Sequence, residues 1–278
     1  MSLTALAVRI CAIQALRGAT LAGTRVKDSA LTPLDLTDHA DAAPVITVAT
    51  DEGALDARGR DLLNSDRTLE LIVELACAAS VTVPLDDGEG TEQHVVIPHT
   101  DGGLEAVLDI MGRQVDRAFL AGNEWSDLLR TFIDGFERVT LRRGAGSEKG
   151  VRFAAHQIVY SCKVMAEPPF APVEPGSVWD RFLVALRGLG ADTAGLADLI
   201  QAEIEAPDLV SWRKVETDLG LRDRGALKIG IGPAIENPPL DEEPGPLETV
   251  VIQSEGASSV VVDEDMLDAA VPPEEGNA

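Results

Sequence analysis

Residues 68–83, TLELIVELACAASVTV, alternate with a period of two: Leu69, Leu71, Val73, Leu75 and Cys77 fall on one side, Glu70, Ile72, Glu74 and Ala76 on the other. A strand written this way needs one covered face and tolerates water on the other. That commits the chain to a sheet with a second layer against it. Two helical patterns are available as cover. Residues 102–120 set Leu104, Leu108, Met111, Val115 and Phe119 along one stripe. Next, Trp125, Leu128, Leu129, Phe132, Ile133 and Phe136 recur at i, i+3, i+4, i+7, i+8 and i+11, which predicts a second helix running to Phe136. Ala121-Gly122-Asn123 between them is a tight connection, so the pair should form an antiparallel or angled hairpin.

The other elements group in the same way. Residues 3–17 place Leu3, Leu6, Ile10, Ile13 and Leu16 at helical spacing, and Gly18 marks a stop. Residues 23–29 read as a short extended piece. Val45, Ile46 and Val48 predict a central strand, 53–66 a loop, 86–90 a turn, and 94–98 a short strand or link. A hairpin follows, with one arm at 138–143, a turn at 144–150 and a long strand over 151–165. Strands and helices are clustered and do not alternate. This predicts an α+β fold: a mixed or antiparallel sheet with helices packed on one face and a long β-hairpin. Pro168, Pro169, Pro172 and Pro175 make a candidate boundary, with an α+β domain over 1–170. A short helical extension over 171–228 follows, with helical patterns at 178–189 and 196–204 and an amphipathic segment around Trp212.

Charge sets the last part of the chain apart. The 278 residues carry 23 Lys+Arg against 47 Asp+Glu, a formal charge of −24. Residues 229–278 hold 12 of those acids, seven prolines and no base. Such a composition buries little core, so an extended or partly disordered acidic arm is expected there. Two apolar islands interrupt it, around Val250, Val251 and Val261, and each is suited to pairing as an added strand on a sheet edge of this chain or a neighbour.

The acidity and an aromatic fraction of 4% argue against specific nucleic-acid binding, which rests on clustered Lys and Arg and on stacking platforms. No apolar run approaches the roughly 20 residues of a membrane span. The N-terminal apolar run contains Arg9 and lacks a basic leader, so it reads as an amphipathic helix and not a signal peptide. Cys11, Cys77 and Cys162 are far apart in apolar segments, and buried free thiols are expected. No Cys/His cluster points to zinc.

Nucleophile-elbow, zinc-protease and phosphate-loop motifs are missing from the sequence. Gly144-Ala-Gly-Ser-Glu-Lys-Gly150 lies between β segments and reads as a hairpin turn. Asp86-Asp87-Gly88-Glu89 does not match a calcium loop and reads as a solvated turn. His94 and His99 lack a third ligand, and His156 falls within the long strand, where bonding to its surroundings is the default. No catalytic residue, metal or cofactor is expected. A small-molecule enzyme, with the carboxylates of 51–61 and 86–92 around a pocket, is the alternative class. Arg142, Arg143 and Lys149 frame the hairpin as the basic spot of the N-terminal region. They read as solvated turn charges or as a docking site for an acidic neighbour, a second copy of this chain included.

The run Leu6-Ala-Val-Arg-Ile-Cys-Ala-Ile-Gln-Ala-Leu-Arg-Gly18, then Thr20-Leu-Ala-Gly-Thr-Arg-Val-Lys-Asp-Ser29, Pro33-Leu-Asp35 and Pro44-Val-Ile-Thr-Val-Ala-Thr-Asp-Glu52, resembles the tail-terminator (tail-completion, neck) proteins of tailed bacteriophages over residues 3–167. The resemblance implies a structural virion protein whose hexameric ring caps the tail tube, stops its growth and joins the tail to the head connector. Implied partners are further copies of the chain, the tube protein, the connector, and a sheath or collar protein. DNA would pass through the ring without being specifically bound. The alternative that the resemblance leaves open is another head–tail joining (neck) protein. The implied location is the phage tail or neck, and the host cytoplasm during assembly. On this view Arg142, Arg143, Lys149, Val250, Val251 and Val261 are interface residues. Residues 171–278 have no counterpart in the family.

Overall fold

A computed structural model describes residues 2–30, 43–56, 63, 65–78, 81–86, 92–97, 100–148, 151–221, 223–232, 249–252 and 260–263. It contains two compact units, Met1–Gly232 and Pro233–Ala278.

The first unit is an α+β fold. Its main sheet is built from β1 (Val26–Asp28), β2 (Val45–Leu55), β3 (Arg67–Cys77), β6 (Ile133–Glu148) and β7 (Val151–Val164), in the order β1-β2-β3-β7-β6. β1 and β2 are parallel and every other pairing is antiparallel. β4 (Val81–Asp86) and β5 (Glu92–Ile97) form a separate antiparallel ribbon. The alternation in β3 behaves as its sequence requires, with Leu69, Leu71, Val73, Leu75 and Cys77 buried. Ile46 and Val48 of β2 and Ile158, Tyr160 and Cys162 of β7 share that face through the registers Val48↔Val73 and Val73↔Ile158.

Helices cover this face. α2 (Asp101–Phe119) lies over β3 and β7, so close that a Cβ on Gly112 would sit 3.8 Å from Ile158 Cδ1 and 3.9 Å from Leu75 Cδ1. α1 (Leu3–Leu16) lies against β1 and β2, and α3 (Glu124–Phe132) packs behind it. α1 is the core helix that its apolar spacing suggests, and more fully enclosed than an amphipathic pattern requires. Thr4, Ala7, Val8, Ile10, Cys11, Ala12, Ile13, Ala15 and Leu16 are all buried, because neighbours on more than one side leave it little wet face. Leu6 is only partly buried.

The second helix of the pair is shorter than its apolar stripe. α3 opens on a capping box: the Ser126 N–H donates to Asn123 Oδ1 and the Asn123 N–H to Ser126 Oγ, both at 2.9 Å. It ends at Phe132, where the chain enters β6. β-Branched Thr131 and Ile133, then Gly135, weaken a helix here. The Phe132 carbonyl instead accepts from Met165 N–H at 3.0 Å, so Ile133 and Phe136 belong to a strand. The hairpin is also longer than its glycines suggest. Pairing runs on through Gly144↔Ala155 to Glu148↔Val151, leaving only 149–150 to connect the strands. β2 likewise extends into the expected loop, to Leu55, across a register shift between Asp51 and Ala54.

The prolines at 168–175 do not separate two cores. α4 (Val178–Arg187) packs on α3, and α5 (Ala191–Glu205) on α4. Phe132 meets Trp179 and Phe182 edge to face at 5.1 and 5.6 Å, so Trp179, Phe182, Leu183, Ile200 and Ile204 extend one continuous apolar core. α6 (Ser211–Asp218) and α7 (Asp223–Lys228) complete the unit. The second unit contains β8 (Thr249–Ile252) and β9 (Val260–Asp263), paired antiparallel with each other.

Candidate functional site

Among the described residues β6 is the last strand of the main sheet, and α2 packs chiefly on β7 and β3 beside it. On the helix side of the sheet, opposite Cys162, Tyr160 and Ile158, the side chains of Phe136, Val139 and Leu141 are 46, 55 and 62% exposed. Leu120, just past α2, is exposed as well. Most natural edge strands are short, charged or kinked, which prevents unwanted pairing. This one has six charged residues and register shifts at Ile133/Gly135 and Phe136/Arg138, but it is 16 residues long and leaves Phe136, Val139 and Leu141 in the open.

The basic residues of the hairpin divide between its two faces. Arg142 lies on the face away from α2 and its Nη1 donates to Gln157 Oε1 at 3.4 Å, while Gln157 Nε2 donates to Glu74 Oε1 at 2.9 Å. This makes a polar ladder across β6, β7 and β3. Arg143 lies on the helix side, where Nε and Nη2 donate to Glu105 Oε1 of α2 at 2.9 and 2.8 Å. The other Glu105 oxygen faces buried His156 Nε2 at 3.1 Å. The Arg143 bond, helped by His156, holds the Glu105 carboxyl below its ordinary range against the opposing effect of burial. Arg143 is raised in return. Next along the helix, Tyr160 donates its hydroxyl to Asp116 at 3.0 Å, and burial followed by the Asp116 charge pushes that phenol up. Lys149 lies outside the described residues. Arg142 and Arg143 both lie on the outermost strand of the hairpin and serve opposite faces of it.

Val250, Val251 and Val261 lie in the second unit. Val251 pairs with Val261 and Val250 with Val262, so the two islands partner each other in a ribbon of four rungs. This differs from the expectation that each adds separately to another sheet.

An open groove of about 990 Å³ runs beside the N-terminal part of α1, with Leu3, Leu6, Arg9, Asp51, Arg67 and Phe170 in its lining. Its polar groups include several with structural duties. Arg9 bonds Asp28 at 2.8 Å and Thr50 at 3.4 Å. Glu167 closes the N-terminus of α1, accepting from the Ser2 hydroxyl, from Leu3 N–H at 2.9 Å and from Thr4 N–H at 3.3 Å, with Arg67 Nη1 3.6 Å away. Of the carboxylates at 51–61 and 86–92, Asp51 lines this groove, while 57–62 and 87–91 lie outside the described residues. Among the described residues no group of three or more His, Cys, Asp or Glu is placed to hold a metal ion. Nor is any helix among them long and apolar enough to cross a membrane.

Glu105 and Glu167 escape sequence reading, since each acts on residues dozens to more than a hundred and sixty positions away. A glutamate on the polar side of a helix gives no local sign of such a partner. No protein-family model matches the chain, and neither does any curated relative.

Proposed function

We propose that this chain is a structural assembly protein, a tail-terminator-like subunit of a tailed bacteriophage. Its hexameric ring would cap the tail tube, stop its polymerisation and join the tail to the head connector. The observation that carries the reading is the β6 edge: Phe136, Val139 and Leu141 lie open beside Arg138, Arg142 and Arg143 in a chain of net charge −24. An exposed apolar edge whose middle stretch, 138–143, holds only bases favours contact with an apolar surface rimmed by acids, and other copies of this acidic chain offer one. A contact between two different patches of the same subunit is heterologous, the kind that closes into rings. The number six, the tube and the connector come from the resemblance over 3–167. A sheath or collar protein is a further partner, in the tail or neck of the virion. Six acidic copies would also surround passing DNA with a repulsive field.

Mass in solution and negative-stain images, with and without tail tubes, test the reading. Rings or capped tubes are the expected result. Association lost on Leu141→Glu with Phe136→Asp, the fold being kept, assigns the contact to this edge. A monomer that leaves tubes uncapped refutes the proposal. Rings that bind connector but ignore tubes replace it with the reading of another head–tail joining protein.

A further inference from the structure

The chain carries two things that suit each other. One is a sheet edge, β6, that pairs only with β7 among the described residues and has exposed Phe136, Val139 and Leu141 with Arg138 and Arg142 beside them. The other is a two-stranded ribbon, β8–β9, of four residues a side. Isolated two-stranded ribbons are marginally stable in water, and a third strand gives them a sheet to belong to. We propose that the β8–β9 ribbon of one copy adds to the β6 edge of a second copy, so that subunits are linked by exchanged arms.

The chemistry fits on three counts. Backbone N–H and C=O groups along an edge strand pair with any extended segment, whatever its side chains. Side chains then decide the match: consecutive valines in Thr249-Val-Val-Ile252 and Val260-Val-Val-Asp263 supply apolar groups to both sides of the pleat, in either register, beside Val139 and Leu141. Charge favours one stretch of the strand: Glu248, Glu255, Asp263, Glu264 and Asp265 flank the valines, whereas 138–143, around Val139 and Leu141, holds Arg138, Arg142 and the Glu105-paired Arg143, with Asp134, Glu137 and Glu148 towards the strand ends. The arm also has the reach. Thr249 is 17 residues beyond Gly232, up to about 55 Å when extended at roughly 3.3 Å per residue. A compact unit of some 230 residues has a radius of gyration of only about 17 Å. The inference rests on the proposed association of subunits and specifies which segment makes it.

The test uses full-length chains throughout. A tagged Val139→Cys copy and an untagged Val251→Cys copy are co-expressed and treated with a bis-maleimide spanning about 10 Å, two strand spacings. Buried Cys11, Cys77 and Cys162 do not compete. A tagged–untagged product is expected, reduced at least tenfold by Arg142→Glu and Leu141→Glu on the tagged copy. Raising the salt from low to high should also reduce it several-fold, a readout that needs no further variant. Three results overturn the proposal: no mixed product, a mixed product indifferent to both the edge changes and salt, or a Val139→Cys/Val251→Cys double variant that links only within one chain. Rings without the cross-link refute arm exchange alone. The cross-link without rings refutes the ring alone.

Discussion

Arg143 of β6 grips Glu105 of α2 through two nitrogens on one carboxylate oxygen, at 2.9 and 2.8 Å, and leaves the second oxygen to His156 at 3.1 Å. This cluster ties the outermost strand to the helix layer, although within the main sheet α2 packs chiefly on β3 and β7. It holds the edge in place without hiding Val139 and Leu141.

Glu105→Gln should destabilise the protein by on the order of 1 kcal/mol at neutral pH, since a charge-assisted bond at a partly exposed site is replaced by a weaker one. The Glu105 carboxyl is depressed in the folded state, chiefly by its bond from Arg143. Its contribution is therefore complete above the ordinary carboxylate pKa of about 4.3 and lost as pH falls through the lower folded value. Urea midpoints of wild type and variant should differ at pH 7, and the difference should shrink as the pH falls below about 4. A difference that stays constant down through the acid range contradicts the account.

Glu167→Ala should cost about 2 kcal/mol. It removes a carboxylate that serves the first turn of α1 and neighbours Arg67 in a mostly buried setting. Ser2→Ala, which loses the hydroxyl accepting from Ala5 N–H at 3.1 Å, should cost about 1 kcal/mol. Guanidinium titration should move both midpoints down with unchanged slope.

Phe132→Ala should cost about 3–5 kcal/mol, because a fully buried ring in contact with Trp179 and Phe182 is replaced by a cavity. The same contacts make α4 part of the core. Trp fluorescence and far-ultraviolet circular dichroism of the wild type should then report one coincident thermal transition for residues 1–232. An earlier separate melting of the helices after residue 175 would show that they form a satellite.

The three thiols should be silent to Ellman's reagent in the native protein and all react once it is unfolded. Cys11, Cys77 and Cys162 are buried. Burial raises the Cys11 thiol and pushes Cys162 up to about 12, so almost no thiolate is present near pH 8.

The sequence by itself determined what period and composition encode locally. The two-residue alternation of β3, the stripe of α2 and the tight connection before α3 each state their own structure, because neighbouring residues carry the whole signal. The absence of bases from 229–278 is likewise a property of the sequence alone, whereas pairing between β8 and β9 is not. Tertiary structure decided everything that depends on what lies alongside. α1 looks amphipathic but is buried between the sheet and α3. Ile133 and Phe136 continue a helical stripe yet lie in β6, since Met165 offers Phe132 a strand partner. The prolines at 168–175 look like a boundary, but Phe132 draws Trp179 and Phe182 into the same core. The candidate site shows the division most sharply. The bases at 142 and 143 are visible in the sequence, but nothing local says that β6 lies at the edge of the sheet. Exposure of Phe136, Val139 and Leu141 is set by strand order and by where α2 stops, and both are sums of contacts between residues far apart in the chain.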